Sequence, residues 1–344
     1  MSQMMKEILE QPMALKRTFD AERDHALAFA DLARKKNFRL VVLVARGTSD
    51  NAALFGRYLI ELTTGIPVSM CAPSIHTLYH ARMDLRQALV VGVSQSGEGT
   101  DINLVLEAAK RQGAYTLAIT NEARSAMAGL ADDVFVGRAG RQCSVAATKT
   151  YTSQLMLLYM LAASVSSQIT LSGVSEIPQH VEETLKLAPE IKEMVRRYHY
   201  MRRCVVVARG INYANAFELS LKLMETCYVV AERFSGADFL HGPIAMIERD
   251  FPVMLFNPPG STFRDVRKLT EHLRALKADT LVFTSTKAKV PGVSEVIRIP
   301  DNVPEIYTPI PYIVPGQIFA SYLAEEKGLN PDKPRELHIV TRTV

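Results

Sequence analysis

Apolar residues recur in two different rhythms along this chain. Short continuous runs, such as those at 39–44 and 89–93, are typical of strands buried on both faces of a parallel sheet. Longer segments between them repeat their apolar positions every three or four residues, as amphipathic helices do. Strands are predicted at 39–44, 89–93, 115–119 and 133–136, and helices at 51–63, 101–112 and 150–165. This alternation indicates a parallel sheet wrapped by helices.

The second half of the chain repeats this pattern. Its strands are predicted near 204–208, 252–256, 280–283 and 296–299, and its helices near 213–227, 264–276 and 313–327. The tripeptide Ala-Arg-Gly follows an apolar strand at 45–47 and again at 208–210, which suits a duplicated domain better than a short repeat. We predict an α/β fold of two tandem, doubly wound domains, each a flavodoxin-like three-layer structure with a parallel sheet, related by duplication.

The junction between the two copies is predicted in a charged helical segment near 175–195. We therefore expect one domain over residues 1–180 and a second over residues 181–344. The first includes a leading helix over residues 4–36 that packs outside the first sheet, and the second includes the C-terminal tail.

Composition narrows the class of protein. The 344 residues are 48% hydrophobic, which suffices for two cores, and the net charge of +4 is spread among interspersed acids and bases. We expect no nucleic acid partner.

Four distant cysteines without a C-x-x-C pair predict neither zinc nor disulfides, and no cofactor is expected. The longest apolar run, Leu155–Val165, is too short for a membrane span, and the N-terminus lacks signal-peptide features. A cytoplasmic protein without membrane contact is expected.

The first candidate site is the turn after the strand at 89–93, within the sequence LVVGVSQSGEGTDI. Donor side chains are available from Ser94, Gln95 and Ser96, and two glycines let the backbone approach an anion. A helix beginning near Thr100 adds unpaired N–H groups and its positive dipole end. The pattern matches neither the P-loop nor the dinucleotide fingerprint, so it favours a small phosphorylated metabolite.

Two further turns are expected at the same edge of the sheet, Gly47-Thr48-Ser49 and Ser144-Val145-Ala146. A Ser or Thr in one such turn is more often a helix cap than a ligand. Several hydroxyl-bearing turns together with two glycines in one domain favour a phosphate pocket.

Glu225 is a candidate base on the helix predicted at 213–227. Lys222 lies three residues earlier on the same face, where its ammonium would keep the carboxylate ionised. The alternative is an ordinary surface ion pair. The helix is apolar nearly all round, so a charge there is expected to have a function.

His241 stands in the segment FLHGPIAMI, where a glycine and a proline stiffen the turn. A histidine on such a turn suits proton transfer near neutral pH. A structural histidine is the alternative, and no metal-ligand spacing surrounds it.

Several motifs together resemble the sugar isomerase (SIS) family, in particular the isomerase half of the glutamine–fructose-6-phosphate aminotransferases, the glucosamine-6-phosphate synthases. The likeness runs through nearly the whole chain. The matching stretches are EILEQP at 7–12, RGTSDNA at 46–52, SQSGE at 94–98, VAATKTYTSQL at 145–155, LKLMET at 221–226, HGP at 241–243 and VPGQIFASYLAEEKGLNPDKPREL at 314–337.

The resemblance implies a role for each candidate residue. The sugar phosphate would be held by Thr48, Ser49, Ser94, Gln95 and Ser96. The backbone from Val145 to Ala147 would contact the sugar. Glu225 would move a proton between C1 and C2 with help from Lys222, and His241 would open the sugar ring. In that family the histidine reaches in from a second subunit, so a homodimer with an active site shared between chains is expected.

Three departures from the family pattern refine this expectation. The chain begins with Met-Ser and not with the catalytic cysteine of a glutaminase domain. Gly99 replaces a phosphate-binding threonine, for which Thr100 is a possible substitute. The tail lysine of the synthases is missing near His338 and Ile339.

The lack of a glutaminase cysteine together with the retained base Glu225 favours a glucosamine-6-phosphate deaminase of the SIS type, whereas the missing tail lysine favours a protein that only binds the sugar. Such a deaminase would interconvert glucosamine 6-phosphate with fructose 6-phosphate and ammonia. The alternatives are a fructosamine-6-phosphate deglycase and a non-catalytic protein that binds phosphorylated sugars.

Overall fold

The computed structural model describes residues 1–287, 290, 292–301 and 303–337. Its contacts divide the chain into two compact units, each built around one sheet. The first-sheet unit consists chiefly of residues 10–142 and 147–178, and the second-sheet unit consists of residues 1–9, 143–146 and 179–335. The domain boundary expected at residue 180 stays a prediction, because contacts in the folded chain do not test whether each part folds alone.

The leading segment forms two helices, where the sequence analysis expects one. Helix α1 spans Gln3–Leu9 and belongs to the second-sheet unit, whereas helix α2 spans Gln11–Lys36 and belongs to the first-sheet unit. Pro12 lies in the first turn of α2, where its missing N–H costs nothing. Asp332 caps α1 from far along the chain, since its carboxylate accepts hydrogen bonds from the first two N–H groups of α1 at 2.8 and 2.7 Å.

The first-sheet unit contains a fully parallel five-stranded sheet. Its strands are β1 (Leu40–Val44), β2 (Val68–Met70), β3 (Ala88–Ser94), β4 (Tyr115–Thr120) and β5 (Asp133–Val136). They follow the order β2-β1-β3-β4-β5. Besides α2, its helices are α3 (Thr48–Thr64), α4 (Ser74–Thr77), α5 (Thr100–Arg111), α6 (Ala126–Leu130) and α7 (Lys149–Val165). Every residue of β3 is buried, as expected for a central strand covered on both faces.

Helix α7 is the buried helix that the longest apolar run predicts. Its residues from Leu155 to Ala162 are completely buried, and it packs against α2 and α3. None of the described helices, α7 included, combines the length and the apolar composition that spanning a bilayer requires.

The second-sheet unit repeats the same topology. Its strands are β6 (Arg203–Ala208), β7 (Val230–Ser235), β8 (Pro252–Phe256), β9 (Asp279–Thr284) and β10 (Glu295–Arg298). Starting from β7, they follow the parallel order β7-β6-β8-β9-β10, which is the order of the first sheet. Its helices are α9 (Ala188–Met194), α10 (Tyr213–Cys227), α11 (Gly236–Leu240), α12 (Phe263–Ala275) and α13 (Pro309–Glu326), and α8 (Leu171–Leu185) begins in the first-sheet unit and ends in this one. The predicted fold class of two doubly wound α/β domains is confirmed.

The strands named in the sequence analysis all form, each within one residue of its expected ends. Two further strands, β2 and β7, were missed. Strand β2 has only three residues, which is too short for a periodic signal. Strand β7 lies at the edge of its sheet and is exposed along part of its length, so it tolerates the charged residues Glu232 and Arg233. These charges interrupt the apolar run by which a buried strand is predicted.

Candidate active site

The turn between β3 and α5 contains the residues expected to form an anion site, and we call this turn, residues 94–100, the cradle. Its backbone is folded by local hydrogen bonds, since Ser94 Oγ accepts from the N–H of Gly97 at 3.1 Å and Ser96 Oγ accepts from the N–H of Glu98 at 3.3 Å. Gly97 has a φ of +66°, and a Cβ there would lie 2.1 Å from Ser125 Oγ. Only glycine fits this position. Helix α5 begins at the exposed Thr100, and Gly99 provides no side-chain cap for its first N–H groups.

A second turn, between β1 and α3, lies at the same edge of the sheet. Strands β1 and β3 are neighbours, and the strand order reverses between them, which is where α/β sheets bind ligands. Thr48 and Ser49 open α3, and the N-cap position is Gly47 with a φ of +56°. The buried Ser49 hydroxyl accepts a hydrogen bond from Gln154 Nε2 at 2.9 Å. Neither hydroxyl serves as the N-cap of α3, so the simple capping interpretation does not account for this turn.

Gln95 is held in place from three sides. Thr150 Oγ1 donates to its side-chain oxygen at 3.0 Å, and its backbone oxygen accepts from the N–H of Asn121 at 3.1 Å and from Thr120 Oγ1 at 3.3 Å. The predicted residues of these two turns all lie in the first-sheet unit, after the neighbouring strands β1 and β3: Thr48, Ser49, Ser94, Gln95, Ser96 and Thr100.

An ion pair that the sequence analysis missed lies beside the cradle. Arg46 Nε donates to Asp101 Oδ2 at 2.6 Å, where Asp101 is 2% exposed and Arg46 is 53% exposed. The second-sheet unit has a matching pair, Arg209 and Asp265, at 3.4 Å. The repeated Ala-Arg-Gly in the sequence could have pointed to the two arginines. The aspartates that pair with them could not be identified from their spacing in the sequence.

Ser144 lies in the third turn expected at this edge, and protein groups already occupy its hydroxyl. Its hydroxyl donates to the carboxylate of Glu7 and to the backbone oxygen of Ala146. The loop Cys143–Ala146 is grouped with the second-sheet unit. Val145 is half-buried and Ala147 is buried, and the contact of their backbone with sugar stays a prediction.

Helix α10 carries a buried cluster of charges. Lys222 Nζ lies 2.6 Å from Glu225 Oε2 and 3.4 Å from Glu218 Oε1. The side chains of Lys222 and Glu218 are completely buried, whereas that of Glu225 is 21% exposed. Burial lowers the pKa of Lys222, but the two carboxylates outweigh burial and leave its pKa raised. The buried Lys222 pairs with Glu225, whose carboxylate reaches the surface. The alternative that Lys222 and Glu225 form an ordinary surface ion pair does not fit this burial.

Glu218 was not chosen as a site residue from the sequence. It stands four residues before Lys222, and that i,i+4 spacing on an apolar helix was a usable signal.

His241 lies on a turn at the surface of the second-sheet unit. It follows the last residue of α11, its side chain is exposed, and its N–H donates to Asp238 O at 3.1 Å. It lines a surface pocket of about 370 Å³ together with Arg209, Asp265, Lys268 and His272, among others.

The tail is ordered against the second-sheet unit as far as it is described. The N–H of Arg335 donates to Tyr228 Oη at 3.0 Å, and its guanidinium lies 3.9 Å from the centre of that ring. The predicted departure at His338 and Ile339 lies outside the described residues. Within the described chain, no group of three or more His, Cys, Asp or Glu side chains is arranged to hold a metal ion.

Comparison with known protein families gives a direct match. The model of the SIS domain matches residues 34–164 and 197–291. The isomerizing glutamine–fructose-6-phosphate aminotransferase of Pyrococcus horikoshii is 35% identical over 342 residues, covering 97% of this chain and 56% of that protein. The chain therefore spans little more than half the length of the curated relatives it matches.

Solved structures share the whole fold. A candidate phosphosugar isomerase from Silicibacter pomeroyi DSS-3 superposes with a TM-score of 0.87 at 31% identity, covering 96% of this chain and 100% of that one. A glucosamine-6-phosphate deaminase from Thermotoga maritima superposes with a TM-score of 0.82 at 23% identity, covering 99% and 100%. At that identity the second likeness establishes a common fold alone.

Proposed function

The chain belongs to the SIS domain family, and from that premise we propose that it is an enzyme that moves a proton between C1 and C2 of a phosphorylated sugar. The observation that carries this proposal is the α10 cluster, in which Lys222 is completely buried between two carboxylates and one of them, Glu225, reaches the surface. A buried charge is costly and is retained at sites of function. The name of the Pyrococcus relative points to the same substrate class.

The phosphate group is proposed to bind in the cradle. Two helix N-termini, those of α3 and α5, lie at the ends of neighbouring strands and offer N–H groups to an anion. The proposed side-chain contacts are Thr48, Ser49, Ser94, Gln95, Ser96 and Thr100. Gly97 and Gly99 keep the turn free of side chains, so the anion can approach the backbone.

Glu225 is proposed as the base. In an open-chain 2-amino aldose it removes the proton from C2, and the C2–H electron pair forms the C1–C2 double bond while the C1=O π pair moves to O1, which takes up a proton to give an enolamine. The Glu225 carboxyl group, which can exchange its proton with water, then protonates C1 as the nitrogen lone pair forms the C2=N bond and one N–H proton is lost, which leaves an imine at C2. Water hydrolyses this imine to the ketose and ammonia. Lys222 pairs with Glu225 at 2.6 Å and is proposed to orient its carboxylate, and the backbone of Val145–Ala147 is proposed to hold the sugar.

His241 is proposed to protonate the ring oxygen and open the sugar. Because its side chain is exposed on a surface turn, we propose that it acts in the site of a second copy of the chain. Exposed apolar side chains on the same unit fit such a homodimer: Met224, Val230, Leu240 and Met246.

The finer proposal is an aminosugar-phosphate deaminase, with a fructosamine-6-phosphate deglycase as the second enzyme candidate. The test is to incubate the protein in D2O with glucosamine 6-phosphate or fructosamine 6-phosphate, following deuterium at C1 by NMR and the released amine. Glu225→Gln should abolish exchange, whereas Glu232→Gln on the exposed edge of β7 should leave it unchanged. Binding of both sugars with neither deuterium incorporation nor release of the amine would instead identify a sugar-phosphate-binding protein.

A further inference from the structure

The carboxylate of Glu7 on α1 is completely buried and holds a loop far away in the sequence. It accepts hydrogen bonds from the N–H of Cys143 at 2.6 Å, from the N–H of Ser144 at 3.3 Å and from the Ser144 hydroxyl. Gln3 Nε2 adds a fourth donor at 3.2 Å. Charged hydrogen bonds of this kind to a backbone are strong, and the buried N–H of Ser144 would lose its carboxylate acceptor without Glu7.

The loop that Glu7 holds differs from its neighbours in the chain. Residues 143–146 are grouped with the second-sheet unit, although residues 142 and 147 on either side belong to the first-sheet unit. Residues 1–9 are likewise grouped with the second-sheet unit, apart from the rest of the leading segment. The hydrogen bonds to Glu7 join these two short segments.

Helix α1 is itself firmly attached within the second-sheet unit. It packs against α13, and α13 packs against α10, which bears Glu225. Asp332 caps its first turn, and the N–H of Ser2 donates to Glu325 on α13 at 3.2 Å. The path from the loop through α1 and α13 to α10 therefore consists of packed helices and hydrogen bonds within one unit.

We propose that Glu7 is a positioning residue, which holds the loop containing Val145 at a set place relative to the base Glu225. This inference rests on the proposed function, because the loop backbone is taken from there as the surface that holds the sugar. Displacement of a substrate-holding group by about 1 Å can cost about 10²-fold in rate. A glutamine at position 7 would turn an N–H donor toward the loop's own donors, so it cannot keep the loop in place.

The test compares Glu7→Gln with Asp132→Asn. Asp132 is a matched control in the first-sheet unit, because its Oδ2 accepts from the N–H and the hydroxyl of Thr116 at 2.9 and 2.8 Å. We expect Glu7→Gln to lower kcat/KM for glucosamine 6-phosphate by about 10- to 100-fold and to speed amide exchange in residues 143–148. Binding of inorganic phosphate, measured by calorimetry, should be unchanged. Asp132→Asn should lower stability and keep kcat/KM.

A folded Glu7→Gln protein with wild-type kcat/KM and wild-type amide exchange would overturn the inference. Should that variant fail to fold, Ser144→Ala removes one donor and keeps the carboxylate, and an unchanged exchange rate in residues 143–148 would overturn the inference equally.

Failure of the proposed function is a separate result, in which the wild-type protein shows no turnover. Amide exchange then still decides, because fructose 6-phosphate should protect residues 143–148 in the wild type and not in Glu7→Gln. Equal protection in both proteins would count against Glu7.

Discussion

Replacing Lys222 by methionine removes the one cation of the α10 cluster and keeps the length of the side chain. In the folded protein Glu218 would then be a completely buried carboxylate with its cation gone, and Glu225 would face it on the same helix. Removing one partner of a buried ion pair costs about 3–5 kcal/mol. Glu225 is 21% exposed and can be solvated by water, so most of this loss comes from Glu218.

Urea unfolding at pH 7, at one protein concentration, measures this loss. Lys186→Met is the control, because Lys186 pairs with Glu183 at 2.6 Å where both side chains are exposed, and its loss should cost less than about 1 kcal/mol. A Lys222→Met protein that loses no more stability than this control would refute the reasoning.

Three other outcomes are expected. Replacing Ser94 and Ser96 together by alanine should weaken binding of phosphorylated sugars by about 2–4 kcal/mol and leave the dephosphorylated sugar unaffected, as measured by calorimetry; an equal loss for both ligands would move the phosphate elsewhere. Hydrogen bonds to Asp133 and Glu22 raise the pKa of His25 to about 9. The contribution of protonated His25 to the stability of the folded protein is therefore complete below about pH 6.5 and is lost as the pH rises through 9. Because this side chain is 32% exposed, we expect His25→Gln to cost about 1–2 kcal/mol at pH 6 and little at pH 10 in urea unfolding; a loss independent of pH would contradict the assignment. Inactive Glu225→Gln and His241→Ala proteins, mixed and refolded, should recover about a quarter of wild-type activity if the site is shared, and no recovery from proven heterodimers would make His241 a structural residue.

The local patterns in the sequence were sufficient for the fold class and for the outline of the site. Apolar runs predict the buried parallel strands because burial on both faces requires them. The cradle could be predicted because Ser94, Ser96 and Gly97 form it through hydrogen bonds across two or three residues. The pairing of Lys222 with Glu225 follows from helical spacing in the same way.

Tertiary structure alone decided the contacts between distant parts of the chain. The sequence shows a serine at 144 beside other hydroxyl turns, but its hydroxyl is bound to Glu7, 137 residues away. The cap that Asp332 places on α1 and the pair of Arg46 with Asp101 are likewise unreadable from spacing. A hydrogen bond reaches about 3 Å, so its partners depend on where whole helices and sheets pack. Spacing along the chain determines which side chains lie on the same face of a helix or strand. Only the packing of helices and sheets determines which distant residues those side chains contact.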